Sequence, residues 1–133
     1  MAQPADSQRH HHAKAPASAA GPTPFILVLT GISSRAEAQA IADAAIEQRL
    51  AAAAQVIGPL TSTYRWEGHV THAEEWLCLL KTSAPLYESV EQTIRSLHSY
   101  ELPGILAIPL AAGSAPYLAW FAQALQQDMF GVN

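Results

Sequence analysis

The sequence predicts an α+β domain in which an antiparallel sheet carries helices on one face. Three observations support this fold class. The chain has 133 residues, which is enough for one domain and too few for two ordinary ones. Four stretches have the composition of strands, and three others have the apolar periodicity of amphipathic helices. Two of the strands are separated only by Glu67-Gly68, which predicts an antiparallel hairpin.

The domain is expected to begin with a buried strand at residues 25–30, just after Pro24. This continuous apolar run is typical of a strand covered on both faces, and Gly31 is expected to end it. Ser34 and Glu37 have the spacing of a capping box, so a helix is predicted from there to about Leu50. The apolar side of this helix contains Ile41, Ala42, Ala45, Ile46 and Leu50.

The predicted hairpin consists of residues 55–66 and residues 69 to about 82. Both stretches are rich in β-branched, aromatic and aliphatic residues, which suit a pleated surface. Gly58-Pro59 interrupts the first stretch and predicts a bulge or bend there. Trp66 is expected near the tip of the hairpin.

Two more helices and a fourth strand complete the pattern. Pro85 occupies the first turn of the second helix, where proline is favoured. Residues 105–110 form the last apolar strand, and Ser114 is expected to cap a final helix with Pro116 in its first turn. The apolar stripe of the second helix consists of Leu86, Val90, Ile94 and Leu97.

The order β-α-β-β-α-β-α predicts a ferredoxin-like βαββαβ sandwich with an extra C-terminal helix, formed by residues 23–133. Residues 1–22 are expected to be a disordered tail, because they are mainly small and polar residues that offer little to bury. The tail contains His10-His11-His12, which we interpret as solvated residues without a role. The alternative is a weak site for a transition metal.

One face of the predicted sheet lacks cover. Two helices cover a single face, yet residues 76–80 are apolar at every position, whereas a strand with one solvated face should alternate. Self-association is the simplest way to bury the second face. The alternative is that the third helix folds across it, but a helix of that length would leave much of the face bare.

Composition excludes several classes of function. The net charge is −4 and the seven basic residues form no cluster, so no nucleic-acid partner is expected. No apolar stretch approaches the roughly 20 residues that span a bilayer, and residues 1–21 lack the apolar segment of a signal peptide. The protein is therefore expected in the cytoplasm, without a membrane partner. Cys78 is the single cysteine and cannot form an intrachain disulfide.

Several short segments together resemble the CutA divalent-cation tolerance family, in order and in spacing. The resemblance extends over about residues 25–125. The segments that carry it are Arg49-Leu50-Ala51-Ala52, Tyr64-Arg65-Trp66-Glu67-Gly68, Lys81-Thr82, His98-Ser99-Tyr100-Glu101-Leu102-Pro103 and Pro116-Tyr117-Leu118-Ala119-Trp120.

The resemblance implies a ferredoxin-like protomer in a homotrimer, similar in architecture to PII signalling proteins. It also implies a role in tolerance of divalent cations, with copper the metal most often associated. The alternative is a PII-like regulatory module that binds a small anionic metabolite. We expect no catalysis, because the sequence lacks a P-loop, a nucleophile elbow and a paired-carboxylate motif.

A cleft between protomers is the ligand site that the resemblance implies. His98 and Glu101 are the candidate metal ligands, since imidazole and carboxylate suit Cu(II) or another divalent cation. His98 has an alternative role as a cap at a helix C-terminus. The remaining candidate ligand-binding residues are Tyr64, Trp66, Glu67, Lys81 and Tyr100. For Tyr64 and Trp66, the favoured alternative is packing against a neighbouring protomer. For Glu67 and Lys81, the alternative is a solvated side chain without a ligand.

The sequence departs from the family pattern at a proposed copper ligand. Ala53 stands where members often have cysteine, and Cys78 does not replace it. A thiolate site for Cu(I) is therefore not expected, and a bound metal would use nitrogen and oxygen ligands. No metal is expected to be required for folding.

Overall fold

The computed structural model describes residues 23–126, so the predicted tail at residues 1–22 lies outside the described part of the chain. The strands are β1 (Phe25–Ile32), β2 (Ala53–Trp66), β3 (His69–Ser83) and β4 (Ile105–Pro109). The helices are α1 (Arg35–Glu47), α2 (Tyr87–Leu97), which follows a 3₁₀ turn at Ala84–Leu86, and α3 (Ala115–Ala124). The strands form one antiparallel sheet in the order β2-β3-β1-β4. This arrangement confirms the predicted ferredoxin-like fold with an additional helix.

The main core lies between one face of the sheet and the helices α1 and α2. Even-numbered residues of β1 and β3 point into it, and Val28 and Leu80 are completely buried there. Residues of α1 and α2 at helical spacing, including Ile41 and Ile94, complete the cluster. Within residues 23–126, no helix is long and apolar enough to cross a membrane.

The prediction that Gly31 ends the first strand is wrong. β1 continues through Gly31, which pairs with Leu77, to Ile32, which pairs with Trp76. The Ile32 side chain is fully buried, so the hydrogen bonds and the core contact extend the strand past the glycine.

The first helix ends three residues earlier than predicted, at Glu47 rather than about Leu50. Arg49 adopts a left-handed conformation with φ of 58°. The Leu50 N–H donates to Ala45 O at 2.8 Å, which is the 6→1 hydrogen bond of a Schellman motif. The chain turns here and Leu50 packs into the core. At the other end of the helix, the Ser34 half of the predicted capping box is confirmed, because the Glu37 N–H donates to Ser34 Oγ at 3.0 Å. In the part of the chain that the structure describes, the Glu37 carboxylate makes no return bond, and its Oε1 is buried without a hydrogen-bond partner.

The hairpin carries the predicted irregularity at Gly58-Pro59. Before it, Ile57 pairs with Leu77, and after it, Leu60 pairs with Glu75. β2 therefore has one extra residue at this point. Before the bulge its odd-numbered side chains share a face with the odd-numbered residues of β3, and after it the even-numbered side chains do. The predicted turn is confirmed as well, with φ of 50° at Glu67 and 82° at Gly68.

A second, smaller core lies at one end of the opposite sheet face. Phe121 of α3 stacks on Phe25 with ring centroids 4.1 Å apart, and both side chains are buried. The rest of this face stays open in a single chain. Leu106 and Ile108, which pair with Leu29 and Leu27, are 65% and 46% exposed. α3 therefore covers only part of the face, as the sequence predicted.

Candidate functional site

A cavity of about 450 Å³ lies beside the half of the hairpin that is nearer to its turn. Tyr64 and Trp66 of β2 and Glu75 of β3 form one side of it, and Tyr100 and Glu101, from the segment between α2 and β4, form another. The remaining lining residues are Gly31, Leu102 and Gly104. The bulge in β2 positions this site, because it puts Tyr64 and Trp66 on the same sheet face as Glu75.

Glu75 is held in place by two hydroxyl groups. Ser62 Oγ donates to Glu75 Oε1 at 2.7 Å, and Tyr100 Oη donates to Glu75 Oε2 at 2.6 Å. A β-carbon added at Gly31 would lie 2.9 Å from Glu75 Oε1, so a side chain at that position would have to displace the carboxylate. Hydrogen bonding and the glycine together fix where the negative charge lies in the cavity.

The hydroxyl of Tyr100 remains a hydrogen-bond donor over the physiological pH range. Burial, the hydrogen bond to Glu75 and the negative charge of that carboxylate together raise the pKa of Tyr100 to about 12. The neutral phenol can therefore keep donating to the carboxylate. This bond joins the segment before β4 to the hairpin.

His98 joins the same segment to β1. Its Nε2 lies 2.9 Å from Gly31 O, and the Tyr100 N–H donates to its Nδ1 at 3.2 Å. The second bond requires a lone pair on Nδ1, so the proton is on Nε2 and is donated to Gly31 O. The His98 and Tyr100 rings also contact each other, with centroids 4.8 Å apart. Both nitrogens of the imidazole are therefore engaged by the backbone.

Three of the predicted site residues, His98, Glu67 and Lys81, do not line the cavity. Glu67 is exposed in the hairpin turn. Lys81 lies near the far end of β3, where its Nζ donates to Tyr117 Oη at 3.1 Å and lies 5.3 Å from the centroid of that ring. Tyr64, Trp66, Tyr100 and Glu101 line the cavity in a single chain, and His98 lies directly behind Tyr100.

Comparison with known proteins identifies the family. Residues 26–124 match the family described as CutA1 divalent ion tolerance protein. The chain belongs to this family. The membership expected from the short sequence segments is therefore confirmed over nearly all of the described residues.

Curated relatives carry CutA names. The divalent-cation tolerance protein CutA of Thermus thermophilus is 38% identical over 97 residues, which cover 73% of this chain and 94% of that protein. Protein CutA of Mus musculus is 36% identical over 110 residues, which cover 81% of this chain and 62% of that protein. The chain thus spans less than two thirds of the mouse relative. The Thermus thermophilus relative is named as a divalent-cation tolerance protein, and the mouse relative is named only as CutA.

Solved CutA structures share the fold. CutA from Xylella fastidiosa matches with a TM-score of 0.75 at 27% identity, over 78% of this chain and 100% of that chain. CutA from Synechococcus elongatus matches with a TM-score of 0.73 at 34% identity, over 79% of this chain and 94% of that chain. Family names differ in cellular compartment, since an Arabidopsis thaliana relative is named chloroplastic and an Archaeoglobus fulgidus structure is described as periplasmic.

The thiol of Cys78 lies away from the site of this CutA chain, in the core beneath α1 and α2. Burial raises the pKa of Cys78 to about 11, so the thiol stays protonated and unreactive. Within residues 23–126, no three histidine, cysteine, aspartate or glutamate side chains are grouped so that they could hold a metal ion.

Sequence reasoning missed Glu75, Ser62 and Gly31. One signal was available for Glu75, because it is a charged residue directly before the apolar run of β3 and alternates with Leu77 and Leu79. No sequence signal identified Ser62, whose side chain reaches Glu75 only because the bulge turns it to that face.

Proposed function

We propose that this chain acts in divalent-cation tolerance as a cytoplasmic, non-enzymatic homotrimer, whose clefts between protomers bind a metal ion or a small ligand. The observation that carries the proposal is an open apolar sheet face next to a lined cavity. Family membership supports the tolerance role. The resemblance to PII-like trimers supports three copies rather than two.

The open face supports assembly through a second copy of the chain. Leu106 exposes most of its surface and Ile108 exposes nearly half. Both lie next to the partly buried Leu27 and Leu29 on the neighbouring strand. Burying such aliphatic surface stabilises an interface by about 25 cal/mol per Å². Tyr64 and Trp66 extend along the hairpin beyond this patch and are 40% and 45% exposed, so a neighbouring protomer could contact the cavity rim.

Size-exclusion chromatography with light scattering tests the assembly. The full chain should have three times the mass of one chain. Leu106→Asp places a charge on the open face and should lower the mass to that of a monomer. Ile46→Asp is the matched control, because Ile46 is 42% exposed on α1, on the opposite side of the sheet. A monomeric wild-type chain would contradict the proposal.

Copper coordination would use His98 and Glu101. The imidazole would have to give up its bond to Gly31 or to the Tyr100 N–H in order to bind a metal. Water or a neighbouring protomer would supply the other ligands, because Cu(II) and Zn are held by about four ligands. Folding requires no metal in this proposal, since packed apolar side chains form both cores.

A small anionic metabolite is the second candidate ligand. The charged side chains that line the cavity are the carboxylates of Glu75 and Glu101, and both disfavour an anion. Lys81 is occupied by Tyr117 at the far end of β3. The charge of the cavity therefore supports the first proposal over this one.

Calorimetric titration with Cu(II) tests the metal site. All proteins would carry His10→Ser, His11→Ser and His12→Ser, which remove ligands outside the domain. Glu101→Gln and His98→Asn should each weaken Cu(II) binding by at least tenfold, whereas Glu88→Gln should leave it unchanged. Equal Cu(II) binding in all of these proteins would exclude a metal site at His98 and Glu101.

A further inference from the structure

We propose that the cavity binds an organic cation with an alkylammonium head group. This inference rests on the proposed function in one respect, namely that the cavity is a ligand site. It differs in the class of ligand, because a bare metal ion and an anion are both replaced by a positively charged small molecule.

Three of the eight residues that line the cavity are aromatic. Tyr64, Trp66 and Tyr100 all line it. Aromatic rings attract cations through the negative charge of their faces, and tryptophan does so most strongly. The side chains of Trp66 and Tyr64 are large and partly apolar, yet they are 45% and 40% exposed. Both rings are therefore accessible to a ligand in the single chain.

The fixed charge of the cavity is negative. Glu75 and Glu101 line it, and in the described part of the chain neither carboxylate forms an ion pair with a basic side chain. The Glu75 carboxylate is bonded by neutral hydroxyl groups, which orient it without cancelling its charge. A cationic ligand would supply the missing counter-charge.

The groups around the cavity suit an organic cation better than a bare metal. Both oxygens of Glu75 already accept hydrogen bonds, and both nitrogens of His98 are engaged by the backbone. A metal coordinated by His98 would have to break one of the two bonds of that side chain, whereas an alkylammonium ion needs only charge and aromatic surface. The volume of about 450 Å³ also falls in the usual range for small-molecule sites, roughly 300–1,000 Å³.

Choline and its neutral isostere, 3,3-dimethyl-1-butanol, distinguish charge from shape. Each would be titrated into the full chain while the indole N–H signals are followed by NMR, with the Trp66 signal assigned through Trp66→Phe. Choline should shift the Trp66 signal saturably and bind at least tenfold more tightly than the isostere. Glu101→Gln should weaken choline binding several-fold, and Glu88→Gln, on the first turn of α2, should not.

Equal binding of choline and the isostere would overturn the proposal, as would saturable binding of inorganic phosphate at Trp66 in place of choline. The absence of any choline-dependent shift would also overturn it. A trimer that binds Cu(II) through His98 and Glu101 but ignores choline would leave the proposed function intact and refute only the ligand class. Choline binding by a monomeric chain that does not bind Cu(II) would support the ligand class and refute the proposed function.

Discussion

At the scale of single residues, Tyr100 links the fold to the candidate site. Its hydroxyl donates to Glu75 in the cavity, and its backbone N–H donates to His98, which is bound to β1. The segment before β4 has no regular secondary structure, so these side-chain bonds hold it against the sheet. A change at Tyr100 should therefore affect both stability and ligand binding.

Tyr100→Phe should lower the free energy of unfolding by about 1–2 kcal/mol, because it removes a hydrogen bond to a charged acceptor. Urea denaturation followed by circular dichroism measures this change. Tyr64→Phe is the matched control, since the Tyr64 hydroxyl makes no hydrogen bond within residues 23–126. Equal losses in the two variants would show that the bond to Glu75 contributes nothing.

The raised pKa of Tyr100 also predicts a loss of stability in alkaline solution. The phenol has an ordinary pKa of 10.0 when the chain is unfolded and about 12 when it is folded. Its contribution is therefore complete below pH 10 and is lost as the pH rises towards 12, because the unfolded chain releases the proton more readily. Urea denaturation at pH 9 and pH 11 should show a larger decrease for the wild type than for Tyr100→Phe. A parallel decrease in both proteins would contradict this assignment.

At the scale of elements, the bulge in β2 decides which of its side chains face the site. Gly58 lies against the ring of Trp76, and an added β-carbon would be 2.5 Å from its Cδ1 atom. Trp76 in turn packs against the main core. Because Gly58 has no side chain, β2 can pass close to the Trp76 ring at the point where the register between β2 and β3 shifts.

Gly58→Ala should lower the free energy of unfolding by about 1–3 kcal/mol, the usual cost of overpacking. Gly104→Ala is the control, because a β-carbon there would meet no atom within 4 Å. Thermal and urea denaturation of both variants would test this. A Gly58→Ala variant as stable as Gly104→Ala would mean that Trp76 can move aside at little cost.

Local chemistry determined how well each element could be predicted from the sequence. The caps at Ser34 and Ser114 were predicted correctly because a hydroxyl bonds within its own turn. The end of β1 was predicted wrongly because Gly31 is held in the strand by β3, which is distant in sequence. For the same reason Glu75 was missed, since its bond to Tyr100 exists only once the sheet and the following segment have assembled.

At the scale of the whole molecule, the proposed burial of the open sheet face in a trimer predicts that stability depends on protein concentration. If three copies bury this face, the folded trimer is favoured by mass action. The midpoint of thermal unfolding should then rise as the wild-type concentration is increased from micromolar to hundreds of micromolar. Leu106→Asp should show a midpoint that does not depend on concentration, and Ile46→Asp should behave as the wild type. A constant wild-type midpoint would argue against a trimer coupled to folding.

The central place of β1 in the sheet has a consequence for the order of events during synthesis. β1 leaves the ribosome before the other three strands of this sheet, yet it pairs with β3 from Trp76 onward and with β4 from Ile105 onward. The hairpin can close soon after its own residues emerge, because its pairs are close in sequence. β1 must wait as an apolar segment without a partner, so the nascent chain carries its greatest risk of aggregation before β3 is complete.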